Sequence, residues 1–76
     1  MKIPTYDIFA GSPDKALWLE AMEGLGAACE RMKERATEFP GPYFVFCTGT
    51  HKVLAVIDTA KDGHVRPGEE DYTESA

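Results

Sequence analysis

The sequence predicts an α+β domain: a three-stranded sheet, in spatial order 1-3-2, covered on one face by a single long helix. Two observations predict this fold. Residues 13–39 repeat apolar or small side chains at steps of three and four, and short β-type segments flank them at 3–10, 43–48 and 52–59. At about 100° per residue that repeat forms one face of a helix. Only the flanking segments can pack against the apolar face of this helix, so a βαββ unit is expected.

The helix has clear start and stop signals. Ser12, Pro13 and Asp14 combine a capping side chain, a proline suited to the first turn and an acid at the positive end of the dipole. Pro40-Gly41-Pro42 ends the helix, because neither proline donates a helical hydrogen bond. The apolar stripe is expected to comprise Trp18, Ala21, Met22, Leu25, Ala28, Cys29, Met32, Ala36 and Phe39.

The segment at 52–59 is placed in the centre of the sheet. Its residues 53–57 are apolar on both faces, which suits a strand covered on both sides. The strands at 3–10 and 43–48 are then expected to be parallel, since a helix joins them. Orders 3-2-1 and 2-1-3 remain alternatives.

The chain divides into one domain, residues 1–59, and a flexible acidic tail, residues 60–76. The tail has turn signals at Lys61-Asp62-Gly63 and Arg66-Pro67-Gly68, then a run of acids at 69–71. It offers little apolar surface with which to order itself.

Composition argues against several classes of partner. The net charge is −5, and the basic residues of the helix alternate with acids, so no basic patch for nucleic acid is predicted. No apolar run reaches the ~20 residues of a membrane span, and no secretory signal is recognisable at the start of the sequence. A cytoplasmic location is therefore expected, with Cys29 and Cys47 as reduced, buried or half-buried thiols.

The hairpin between the last two strands assigns residues to sheet faces. An even loop places Phe46 opposite Val53 and Phe44 opposite Ala55, and we expect these residues under the helix. The other face then carries an apolar set with no cover, a hypothetical interface formed by Phe9, Tyr43, Val45, Leu54 and Val56. A slip of one residue would exchange the faces.

Few residues suggest chemistry. The sequence has no phosphate-binding glycine loop, no nucleophile elbow and no metal-ligand spacing, so neither a cofactor nor a metal is predicted. Cys47 and His51 could form a nucleophile pair across a turn, and Asp7 and Asp58 share the predicted open face, where two carboxylates could do acid–base work. Trp18 is expected to cover the edge of the hydrophobic core or, alternatively, to provide a ring against which a ligand stacks.

A pattern of core and turn residues resembles a group of small uncharacterised bacterial proteins. It consists of Tyr6-Asp7-Ile8-Phe9, Gly11, Trp18, Glu23-Gly24-Leu25, and Pro40-Gly41 leading into Tyr43-Phe44-Val45-Phe46. The resemblance spans about residues 6–59 and implies a bacterial, cytoplasmic origin, without a mechanism.

These observations favour a small non-enzymatic interaction module. Its expected partner is a second copy, forming a homodimer or higher oligomer through the sheet, or else another protein. One alternative is a small-ligand-binding protein with a pocket near Trp18, Gly24 or Tyr43 between subunits. Another is a small oligomeric enzyme whose site is completed by a second subunit.

Overall fold

The computed structural model describes residues 3–68 and confirms the α+β class. Its strands are β1 (Thr5–Ala10), β2 (Leu17–Glu23), β3 (Pro42–Cys47), β4 (Lys52–Asp58) and β5 (Arg66–Pro67), and its helix is α1 (Leu25–Glu38). A short 3-10 turn, Pro13–Lys15, joins β1 to β2. The strands form one antiparallel sheet in the order β2-β1-β3-β4-β5.

The predicted helix over residues 13–39 is wrong in its first half. Leu17–Glu23 is a strand paired with β1, and the helix begins only at Leu25. Gly24 separates them with a φ of 91°, a left-handed conformation that favours glycine. Its N–H donates to the carbonyl of Pro4, which is the last hydrogen bond between the first two strands. Its own carbonyl accepts from the N–H of Ala28, which is the first hydrogen bond of the helix. Pairing with β1 thus outweighed the helical spacing of the segment.

This extra strand also overturns the predicted three-stranded βαββ topology. An added strand reverses the chain once more, so β3 returns antiparallel to β1 and pairs directly with it. The strand predicted at 52–59, β4, therefore lies outside β3 and not between the two, and the order 1-3-2 is wrong.

The core lies between α1 and one face of the sheet. Ala28, Met32 and Ala36, spaced four apart, are fully buried. They pack with Ile8 of β1 and with side chains of β3 and β4, namely Tyr43, Val45, Ala55 and Ile57. The helical stripe was correctly predicted from Ala28 to Ala36, but Phe39, its predicted last member, lies past the end of the helix and is 68% exposed.

A β-bulge in the hairpin decides which β3 residues face the helix. The loop has four residues, 48–51, and Phe46 lies opposite Val53, as predicted. The register then shifts at Leu54, so that Val45 pairs with Ala55 and Phe44 with Val56. The extra residue leaves Ala55 under the helix. It places Tyr43 and Val45 of β3 on the helix side of the sheet, and Phe44 and Phe46 on the other side.

Two residues of the predicted interface are therefore misplaced. Val45, with 0% exposure, and Tyr43, with 7%, belong to the core beneath α1. Phe44 and Phe46, which were expected under the helix, lie on the other side of the sheet, because side chains alternate along β3.

The C-terminal segment adds the short edge strand β5. Arg66 pairs with Val56 and Pro67 with Ala55, and the N–H of Gly68 donates to the carbonyl of Leu54 at 3.0 Å. A Cβ at position 68 would overlap the carbonyl of Val53, so the backbone approaches β4 closely here. The rest of the predicted tail, residues 69–76, lies outside the described residues.

Candidate interaction surface

The sheet face away from α1, here called the open face, carries one transverse row of side chains across all five strands. The pairings Phe9–Trp18, Phe9–Phe44, Phe44–Val56 and Val56–Arg66 place one residue from each strand side by side. Directly opposed residues of paired strands project to the same face. We call Trp18, Phe9, Phe44, Val56 and Arg66 the central row.

Aromatic rings fill the middle of the open face. The rings of Phe9 and Phe44 stack with centroids 5.0 Å apart and an interplanar angle of 8°, and Phe46 meets Phe9 edge-on at 6.1 Å. Such pairs contribute about 0.5–1.5 kcal/mol beyond their buried area. Phe44 is only 4% exposed, although α1 lies on the other side of the sheet. The face therefore has a packed aromatic layer of its own.

One margin of the open face is aromatic and acidic. Trp18 on β2 is 55% exposed, and its indole N–H donates to the carboxylate of Asp7 on β1 at 3.1 Å. Glu23 lies opposite Thr5, and Thr5 alternates with Asp7 and Phe9 onto the open face of β1, so Glu23 belongs to the same face. The hydrogen bond fixes the orientation of the indole while most of its surface stays accessible.

The opposite margin carries a cation that is paired with a carboxylate. Arg66 ends the central row on β5, and its guanidinium forms an ion pair with Asp62. The side chain remains 62% exposed. The open face thus has an acidic aromatic side on β1 and β2 and a cation at the far side on β5.

The bulge places two further apolar residues on this side of the sheet. Val53 lies opposite Phe46 and is 2% exposed, while Leu54 is half-buried. Neither belongs to the core beneath the helix. Of the predicted interface, Phe9, Leu54 and Val56 are therefore on or beside the open face.

Sequence reasoning missed four important members of this face: Trp18, Phe44, Phe46 and Arg66. The sequence pattern places Trp18 in the helical stripe and Arg66 in the tail. For Trp18 the signal is partial: the alternation Leu17, Leu19, Ala21 is compatible with a strand, but the register shift at Leu19 decides which face Trp18 occupies. No local signal marks the bulge that moves Phe44 and Phe46.

The candidate reactive pair Cys47 and His51 lies at the β3–β4 turn. The N–H of His51 donates to the carbonyl of Cys47 at 2.7 Å, and the imidazole lies edge-on to Phe46 at 6.2 Å. Hydrogen bonding from the Thr50 side chain, then from backbone N–H groups, lowers the pKa of the Cys47 thiol. These contacts make the thiol more acidic, while the imidazole packs against an aromatic ring.

The two carboxylates proposed for acid–base chemistry are far apart. Asp7 lies opposite Phe46, whereas Asp58 lies opposite Pro42, four residues along β3, or about 13 Å at 3.3 Å per residue. Asp7 is bound by Trp18, and Asp58 accepts the N–H of Ala60 at 3.0 Å. They cannot share a proton or a substrate atom in one subunit.

The positions suggested for a ligand pocket do not converge. Trp18 is on the open face, Gly24 is at the start of α1, and Tyr43 lies under the helix with its hydroxyl donating to the carbonyl of Phe39. A surface groove of about 500 Å³ lies instead along the polar side of α1, where Arg31, Glu34, Arg35, Thr37 and Glu38 line it. Within residues 3–68, no three His, Cys, Asp or Glu side chains are grouped as a metal site would require.

Comparison with known proteins gives no family. No family model, curated protein or solved structure matches the chain. No helix among the described residues is both long enough and apolar enough to cross a membrane.

Proposed function

We propose that this chain is a small non-enzymatic interaction module that associates with a second copy of itself through the open face. The observation that supports the proposal is the aromatic layer formed by Phe9, Phe44 and Phe46 on the face opposite the single helix. Phe9 and Phe46 are half-buried, and the exposed indole of Trp18 lies beside them; apolar surface of this kind is typical of association surfaces. The proposed setting is a bacterial cytoplasm, where both thiols stay reduced, and the proposed partner is protein and not nucleic acid.

Area arguments allow a stable complex. Burying about 600 Å² of apolar surface in total would contribute about 15 kcal/mol at 25 cal/mol per Å². Association costs about 4–15 kcal/mol before side-chain ordering. Affinity is therefore set by how well the aromatic centre packs against its partner, and single substitutions there should have large effects.

The sheet edges are less suited to association than its open face. Edge strand β2 carries Glu20 near its middle, turned to the helix side, where Arg31 and Arg35 bind it at 2.9 and 2.7 Å. An inward-pointing charge is a common protection against edge pairing, and a two-fold pairing about this residue would oppose two such carboxylates. The other edge is β5, whose Pro67 has no N–H to donate.

The test is Leu54→Glu, measured by sedimentation velocity and equilibrium over a range of micromolar concentrations. Leu54 is half-buried outside the helix-side core, so the added charge falls on the proposed contact while the core is kept. The matched control is Ala27→Glu, which adds the same charge at an exposed position on α1. We expect an oligomeric parent, an oligomeric control and a folded monomeric Leu54→Glu variant, with folding verified by circular dichroism.

Two outcomes contradict the proposal. One is a parent that sediments as a monomer throughout the range. The other is a Leu54→Glu variant whose association is as strong as that of the Ala27→Glu control.

A further inference from the structure

The two ends of the central row carry different chemistry, and this difference bears on how a second copy would be oriented. Trp18 ends the row on β2, beside the Asp7 carboxylate, and Arg66 ends it on β5. β3, with Phe44, lies at the centre of the five strands. A two-fold rotation that places β2 of one copy over β5 of the other therefore brings unlike groups together. A rotation that places each strand over its own equivalent brings like groups together.

A face-to-face pair of identical sheets has two simple two-fold arrangements. If the axis runs parallel to the strands over β3, β2 of one copy covers β5 of the other, and β1 covers β4. If the axis runs across the strands, each strand covers its own equivalent. Both arrangements bury the same aromatic centre, so its hydrophobicity does not discriminate between them.

We infer that the second copy docks with its two-fold axis parallel to the strands, so that Arg66 of each copy lies against Trp18 of the other. This inference rests on the self-association proposed above and specifies its geometry. The same rotation places Phe9 opposite Val56 of the second copy, and Phe44 opposite its own equivalent. Every member of the central row then has a chemically suitable partner.

Electrostatics favour this arrangement. A guanidinium over an indole face is a favourable cation–π contact, and the Asp7 carboxylate held by the indole N–H adds attraction for the same cation. Arg66 has enough N–H donors to keep its ion pair with Asp62. The crossed arrangement would instead oppose Arg66 to Arg66 and Trp18 to Trp18, which loses the cation–π contact and places like charges in opposition, a destabilising arrangement.

Sheet geometry is compatible with the contact. The ends of the row lie two strands from the centre, or about 10 Å, and packed sheets are also about 10 Å apart. The usual rotation of about 30° between packed sheets displaces the ends of the row by about 5 Å. A long arginine side chain that is 62% exposed can span such an offset, whereas a short side chain could not.

The experiment mixes two single-cysteine proteins, both in a Cys29→Ser, Cys47→Ser background. One carries Trp18→Cys and the other Arg66→Cys, and each is labelled by a different mass tag. In a mixed dimer with the inferred axis, the two new cysteines face each other, and the native Arg66–Trp18 contact survives at the symmetry-related position. A short bismaleimide should therefore join unlike chains preferentially, as read by mass spectrometry.

Products that join like chains in preference, position 18 to 18 and 66 to 66, would overturn the inferred axis while leaving self-association intact. Absence of all three cross-links from a parent that is dimeric by sedimentation would also overturn it. A monomeric parent is a different result, because it contradicts the proposed function itself.

A second measurement does not depend on cross-linking. Arg66→Glu reverses the charge at the end of the row, and Lys33→Glu makes the same change on the outer side of α1, where Lys33 pairs with Glu30 at 3.6 Å. Since a symmetric dimer contains the contact twice, we expect Arg66→Glu to raise the dissociation constant at least about tenfold and Lys33→Glu to leave it within about twofold. Equal effects of the two substitutions would rule out a specific contact at Arg66.

Discussion

Glu20 and Arg35 join the edge strand to the helix: the Nε of Arg35 donates to the carboxylate of Glu20 at 2.7 Å. Arg31, one turn earlier on α1, donates to the same oxygen at 2.9 Å. Two positions on the helix are therefore held against β2 by one carboxylate. The other ties of β2 to the rest of the molecule are its pairing with β1 and the packing of Leu19 and Met22 against the core.

We expect Glu20→Gln to reduce the free energy of unfolding by about 1 kcal/mol, because it removes the charge from two hydrogen bonds at a partly solvated site. Urea denaturation followed by circular dichroism measures the change. Glu34→Gln is the control, since Glu34 binds only Arg31 among the contacts of residues 3–68 and is 65% exposed. A smaller loss for Glu20→Gln than for Glu34→Gln would contradict the assigned role.

The same contact gives a pH dependence. Hydrogen bonding by Arg35, then by Arg31, lowers the pKa of the Glu20 carboxyl below its ordinary value of 4.5. A lowered pKa in the folded state stabilises the protein above the ordinary pKa, and this stability is lost as the pH falls through the folded-state value. The stability difference between the parent and Glu20→Gln should therefore be constant near pH 7 and shrink below about pH 4.5. A difference that stays unchanged down to pH 2 would contradict the linkage.

Two neighbouring glycines should respond to alanine with opposite signs. Gly24 has a φ of 91°, so Gly24→Ala is expected to lower stability by about 1 kcal/mol or more. Gly26 lies in α1 with open space where an added methyl group would lie, so Gly26→Ala is expected to raise stability by about 0.5–1 kcal/mol. Thermal melts of both variants provide the measurement. Similar effects at the two sites would mean that the helix begins before Gly24.

Val45 and Val56 test the face exchange caused by the bulge. Val45 is fully buried beneath α1, so Val45→Ala should cost about 2 kcal/mol of stability through the lost packing and the cavity it leaves. Val56 is half-buried on the open face, so Val56→Ala should cost less than half of that in monomeric protein. Denaturation at concentrations below any association gives both values. A larger stability loss for Val56→Ala than for Val45→Ala would mean that the hairpin has no bulge at Leu54.

The two thiols should differ in reactivity. Burial raises the pKa of Cys29, whereas hydrogen bonding from Thr50 lowers the pKa of Cys47. Since the thiolate is the reactive form, a small alkylating reagent at pH 7 should modify Cys47 first. Thr50→Val should slow modification of Cys47 and leave Cys29 unchanged, as measured by mass spectrometry of timed samples. Equal rates at the two thiols in the parent would contradict this account.

Part of the candidate surface was predictable and part was not. Phe9 and Val56 were placed on the open face from alternation along their strands, which depends only on the period of two. Tyr43 and Val45 were misplaced because the bulge at Leu54 changes the register partway along an otherwise correct hairpin. A bulge arises from pairing across strands and from twist, so the residues of one strand do not reveal it.

The sequence by itself determined the elements that rest on local chemistry. The apolar spacing of Ala28, Met32 and Ala36 determined the buried face of the helix, and Pro40-Gly41-Pro42 its end. Only the tertiary structure decided the state of residues 17–23, because their side chains suit either a helix or an edge strand and the exposed edge of β1 was needed to select the strand. That one choice added a chain reversal and changed the sheet order. It also moved Trp18 from a predicted helical stripe to the open face, since long-range pairing outweighs a weak local preference.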